Sequence, residues 1–136
     1  MAFFDSKSST FKIDKTAGGA LEDISAYIDD IGGLPGPRNV NPVTALGDAG
    51  VKSIPSLEDV TITIAGTYDD TVSVGPDAIF GPLRTATVTL SFEYSPDGTR
   101  TYTGECWITD YTIKSAVGSR VSYSVTLQVD GTVTRP

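Results

Sequence analysis

Few residues in this chain are suited to chemistry, and their spacing argues against each reaction they could serve. Cys106 is the only cysteine, and histidine is absent. That removes the partner of Ser-His and Cys-His catalysis and the commonest zinc ligand. The thiol lies inside the alternating run "YTGECWITDYTIK", where a cysteine without an imidazole reads as a small core hydrophobe. Ser9 and Lys12 match the S-x-x-K spacing of some serine enzymes, but the companion motifs are missing. The acidic pairs Asp29-Asp30 and Asp69-Asp70 raise glycosidase or calcium chemistry. Adjacent carboxylates on a strand point to opposite sides, and neither pair has the oxygen-rich spacing of a calcium loop, so both read as solvated turn residues. No glycine cluster forms a phosphate cradle ahead of a helix. The sequence points to no catalytic residue, no metal and no cofactor, and hence to a protein that makes shape rather than an enzyme.

What must be positioned, then, is surface. A chain of 136 residues fits one domain, 1–136, and a globule of that size buries roughly 65 to 70% of its unfolded surface. Asp plus Glu number 17 against 10 for Lys plus Arg, a formal charge of -7, which disfavours a grip on phosphate backbones. A lone cysteine excludes an intrachain disulfide. No apolar stretch reaches the roughly 20 residues of a membrane helix, and the opening "MAFFDSKSSTFKID" lacks signal-peptide order. The expectation is a soluble chain made in the cytoplasm.

Period-two alternation dominates the pattern. Phe11 and Ile13 share a face in "TFKID". In "ALEDISAYIDDIGG" the alternation predicts a strand over about 21–31, with a helix as rival because Leu21, Ile24, Ile28 and Ile31 also recur at three and four residues. Val60, Ile62, Ile64 and Tyr68 alternate with Thr61, Thr63, Ala65 and Thr67, and "RTATVTLSFEY" turns Ala86, Val88, Leu90, Phe92 and Tyr94 inward. "GPDAIFGPL" is bounded for no more than a turn of helix. "SPDGTR" is a hairpin turn, with Gly98 where positive φ is cheap.

From Thr101 to Lys114 the alternation puts Tyr102, Cys106 and Ile108 on one face, with Trp107, Tyr111 and Ile113 on the other. Val121, Tyr123, Val125, Leu127 and Val129 then alternate with polar residues, and "DGT" at 130–132 offers a further turn. Trp107, Phe92, Tyr123 and Leu127 are the expected large core residues. The class is mainly β, with one short helix.

Two features stand out. The polar faces carrying Thr61, Thr63, Thr67, Thr85, Thr87, Thr89 and Ser91 are short and uncharged, which fits plain β-propensity or a face lying close to other protein or lining a channel. The segment 32–57, "GGLPGPRNVNPVTALGDAGVKSIPSL", is too long for an ordinary connection and too aliphatic to stay solvated. Leu34, Val40, Val43, Leu46, Val51, Ile54 and Leu57 need a cover, from the same domain or from another subunit.

The blocks "TFKIDKTAG", "EDISAYIDDIGGLPGPRNVNPVTALGDAG", "IPSLEDVTITIAGTYDD" and "YTGECWITDYTIKSAVGSRVSYSVTLQVDGTVTR", in that order over about 10–135, resemble the major tail protein, or tail tube protein, of long-tailed non-contractile bacteriophages and related prophages. Ser56 departs from the pattern, standing where such proteins often carry glycine, and the length is that of the short version without an added immunoglobulin-like domain. The resemblance implies an antiparallel β-sandwich or barrel-like tail tube fold, with one short flanking helix and a long extended loop, 32–57, that contacts the neighbouring ring through Leu34, Val40, Val43, Leu46, Val51 and Ile54.

It further implies hexameric rings that stack into a tube within the virion tail, assembled in the host cytoplasm. Tail tip, tape measure and tail terminator proteins are the implied partners; DNA passes without specific binding, and no membrane is involved. With the four strands per subunit that the family implies, a barrel of about 24 strands spaced about 4.8 Å and tilted about 40° has a backbone diameter of about 48 Å. Side chains narrow the bore to roughly 38 Å, wide enough for duplex DNA of about 20 Å. Asp59, Asp69 and Glu93 share the parity of the threonine faces and are the candidate lumen-facing acids, with Glu105 as a fourth on the face of Trp107. The alternative is a monomeric or small-oligomer β-sandwich binding module of capsid-decoration or adhesin type.

Overall fold

The computed structural model describes residues 6–16, 18–72 and 74–136. The first five residues, part of the stretch read above for a targeting signal, lie outside the described residues. Among the described residues nine strands form: β1 (Thr10–Asp14), β2 (Leu21–Asp23), β3 (Asp30–Gly32), β4 (Arg38–Pro42), β5 (Ser53–Glu58), β6 (Thr61–Thr67), β7 (Leu90–Ser95), β8 (Tyr102–Lys114) and β9 (Ser122–Thr134), with one α-helix, α1 (Pro76–Leu83). Seven of them make one antiparallel sheet in the order β2-β1-β7-β8-β9-β6-β3, and β4 and β5 pair separately.

The sheet has to curl. Laid flat, seven strands would hold β2 and β3 roughly 29 Å apart. Only residues 24–29 join these two edges, and Ser25–Tyr27 among them form a 3-10 turn, which limits the reach to roughly 20 Å. Backbone bonds fix this bridge at both ends: the Ile24 N–H donates to the Phe11 carbonyl at 3.1 Å, and the Asp29 N–H to the Ala65 carbonyl at 2.8 Å. In its middle the Tyr123 hydroxyl donates to the Tyr27 carbonyl at 2.7 Å. The continuous strand expected over 21–31 is therefore broken into β2, a turn and β3, because this segment crosses the open side of the curled sheet and drops Ile24 into the core.

Inside the curl, Phe11, Ile13, Ile62, Ile64, Leu90, Phe92, Cys106, Tyr123, Val125 and Leu127 are buried, as their alternation requires. Phe11 stacks on Phe92 with ring centroids 6.3 Å apart. The segment expected to hold one turn of helix instead makes the two turns of α1. Pro76 starts it where a missing N–H costs nothing, and Ile79, Phe80 and Leu83 recur on one buried face. Phe80 lies 6.0 Å from both Tyr111 and Tyr123, so the helix plugs the curl. Residues 84–89 return the chain from the helix to the sheet, so the strand expected from 84 begins only at Leu90 and Val88 is left exposed.

Two bulges in the β8–β9 ladder correct other expectations. Register jumps between Ile108 and Asp110, so Thr109 is the extra residue and the faces exchange beyond it. Tyr111 accordingly packs against the core on the side of Cys106 and Ile108, whereas Trp107 stays outside the core, half-buried opposite Gln128. The second shift lies between Thr103 and Glu105, which oppose Thr134 and Asp130. Gly131, at φ +85°, absorbs it, so "DGT" does not reverse the chain and β9 runs on to Thr134.

Replacing Phe92 with alanine removes a ring that is 1% exposed, and the expected loss is about 3 to 5 kcal/mol. Chemical denaturation should show the midpoint falling accordingly. A midpoint unchanged within error would mean that the ring is not in the core.

Candidate functional site

The polar groups singled out by spacing do not converge. Cys106 is buried between Leu90 and Val129, and burial, then the nearby Glu105 and Asp14, push its thiol up to about 12. Ser9 donates to the Pro96 carbonyl at 2.9 Å, while Lys12 stands in β1 between Asp23 and Glu93. Asp29 ion-pairs with Arg120. Asp69 lies beyond the end of β6, and its carboxylate accepts from the hydroxyl and the N–H of Thr71, which together hold it below the usual carboxylate range. Among the described residues no group of three or more His, Cys, Asp or Glu side chains could hold a metal ion. Likewise, no described helix is long and apolar enough to cross a membrane.

What the sheet builds is a continuous polar outer face. Register places Thr61 beside Gln128, Thr63 beside Thr126, Ala65 beside Ser124 and Thr67 beside Ser122. The next strand adds Asp110 and Thr112 to the same rows. Short hydroxyls cross-link them: Thr112 and Ser124 lie 2.8 Å apart, and Thr61 donates to the Gln128 side-chain oxygen at 3.2 Å. Gln128 in turn donates to Asp59 at 2.9 Å.

Toward the other half of the ladder the face turns acidic. Glu105 accepts from Ser91 at 2.6 Å and Thr89 at 3.0 Å, and Glu93, Glu105 and Asp130 border a shallow hollow of about 610 Å³. Of the four candidate lumen acids, Asp59, Glu93 and Glu105 thus belong to this face. Asp69 does not, because its strand has already ended. Asp130, opposite Glu105, was hidden by reading its Asp-Gly pair as a turn; only the bulge keeps it on the sheet.

The second surface is the β4–β5 hairpin, which accounts for much of the segment expected as a long loop. Val40 pairs with Pro55 and Asn41 with Ile54. Its tip is tied by the Asp48 carboxylate, which accepts from the Ala45 N–H at 2.7 Å and pairs with Lys52 at 3.0 Å. At its root Gly36 has φ +92° and would drive a Cβ to 2.6 Å from Val60, so the entry needs glycine. Val40, Val43, Leu46, Val51, Ile54 and Leu57 are between 48% and 108% exposed. Leu34 differs from its companions, since it packs against the parent core.

No protein-family model and no curated protein matches the chain at the level of sequence. Solved structures do match in fold. The tail of an empty gene transfer agent particle, determined with C6 symmetry, superposes with a TM-score of 0.78 at 18% identity, over 98% of this chain and 99% of that one. A subunit of the native gene transfer agent virion gives 0.77 at 15% identity over 98% and 99%. The tail tube of the phage SPP1 gives 0.71 at 11% identity over 98% and 80%. The class defined is therefore a mainly β fold of the phage tail tube type, a curled antiparallel sheet plugged by one helix. At these identities the likeness is one of fold.

Because its pKa is raised by burial, the Cys106 thiol supports the native state fully below the unfolded value of about 8.5, and this support is lost as pH climbs from there toward about 12. A thiol reagent at pH 8 should find no reactive cysteine in the folded protein and one per chain in denaturant. Rapid labelling of the folded protein would contradict the burial.

Proposed function

We propose that this chain is the subunit of a phage-type tail tube, six copies closing into a ring and rings stacking into a conduit for DNA in the virion tail. The observation that supports this best is the coextensive match to a C6-symmetric tail, which leaves almost nothing of either chain unmatched. A structural role also suits a molecule whose polar groups serve turns and strand faces. In this reading the hydroxyl-lined face of β6, β9 and the later part of β8 borders the bore, together with Asp59, Glu93 and Glu105. Six chains at -7 carry about -42 per ring, a net field that disfavours a grip on phosphates, even though Lys12 stands beside Glu93 and Lys114 and Arg120 stand at the far end of the hydroxyl rows. Tail tip, tape measure and tail terminator proteins are the partners this reading implies.

The β4–β5 hairpin is the connector between rings, because its aliphatic side chains have no cover on their own subunit. Negative-stain microscopy of the purified protein should show tubes. Monodisperse particles of one or two chains at every concentration would favour the binding-module alternative instead. Replacing residues 39–57 with a short glycine-serine turn should leave the melting temperature nearly unchanged and abolish tubes. Tubes of normal length from that variant would remove the hairpin from the ring-to-ring contact.

The charge of the wall is testable separately. Asp59→Lys with Glu93→Lys shifts the ring by roughly +24 and gives passing phosphates a place to bind. Particles with normal tails should then eject DNA more slowly, with a steep salt dependence. Ejection indistinguishable from wild type across a salt series would place these two carboxylates away from the bore.

A further inference from the structure

Two apolar surfaces stay uncovered on the subunit, and they lie at opposite ends of the β8–β9 ladder. The root of the β4–β5 hairpin is at one end, where Arg38 and Glu58 share a groove with Tyr102, Val133 and Arg135. At the other end the core-facing side of the ladder outruns its own core. Tyr111 and Tyr123 are the last side chains on it that reach Phe80 of α1. Beyond them Ile113 is 48% exposed, Val121 38% and Val117, in the turn, 106%.

Distance decides what can cover the tip. Strands of 13 residues separate the two ends by about 40 Å. From Arg38 to Leu46 the hairpin reaches roughly 27 Å even when fully extended, so a subunit cannot fold its own hairpin over its own tip. The hairpin needs a partner of matching size: its six exposed aliphatic residues amount to on the order of 700 Å², close to the roughly 800 Å² per partner of a standard interface.

We propose that the β8–β9 tip is the acceptor for the β4–β5 hairpin of a second copy in the adjoining ring, with Leu46 of one copy seated against Ile113, Val117 and Val121 of the other. The inference rests on the stacked-ring reading above. Because donor and acceptor patches differ and sit at opposite ends, each copy donates one way and accepts the other, a heterologous contact that never closes and so extends along an axis.

Cross-linking tests it. Cys106 is buried, so Leu46→Cys combined with Val117→Cys should give assembled tubes that oxidise to a ladder of covalent oligomers, whereas either cysteine alone, or Leu46→Cys with Thr99→Cys at the opposite end of β8, should run as monomer. Val117→Asp should raise the concentration needed for assembly by about tenfold or more, and Val117→Leu should assemble as wild type. If the double-cysteine tubes give no ladder and Val117→Asp assembles normally, while replacing 39–57 still blocks assembly, the acceptor assignment is overturned and the hairpin remains a connector. If the variant lacking 39–57 assembles as well, the connector reading fails and takes this inference with it.

Discussion

Strands β8 and β9 are each 13 residues long, and a core of this size does not cover a hairpin of that length from end to end. β7 flanks only the first part of β8, and β6 only the first part of β9, so the sheet is staggered about this ladder. The stagger gives the molecule its curl, because the two outer edges must be rejoined by the short bridge 24–29. That bridge is held by main-chain bonds and by one buried tyrosine hydroxyl, and Gly66 gives it room, since a Cβ there would fall 2.0 Å from the Tyr27 carbonyl.

From the ladder follow the two properties on which the proposed assembly depends. Its outer face is a row of hydroxyls, with the Gln128 amide, that bond to one another, and in the proposed tube this face forms the wall. Its ends leave apolar side chains without cover, and burying them is the largest favourable term still open to the folded subunit. In the proposed tube, the polarity of the ladder lets growth along an axis bury them.

Much of this was legible in the residues. Alternation located β6 and β9 and their buried sides, Pro96 and Gly98 marked the β7–β8 turn, and the aliphatic residues of 32–57 announced a surface in need of cover. The failures are of one kind. Thr109 carries no local mark of a bulge, and the break at Ile24 exists only because the sheet edges must be rejoined across the open side. Gly131 signals a positive φ, but a turn and a bulge both use one. Asp69 keeps the parity of a strand that ends before it. Each depends on which strand lies alongside, information that a linear pattern does not hold.

Helical reconstruction of the assembled protein by cryo-electron microscopy tests the account most directly. It predicts six subunits per ring, this subunit fold retained, the hydroxyl face of β6 and β9 turned to the bore, and the side chains of Val40 to Leu57 buried only between rings. Rings of another symmetry, or a tube in which these side chains remain in solvent, would contradict it.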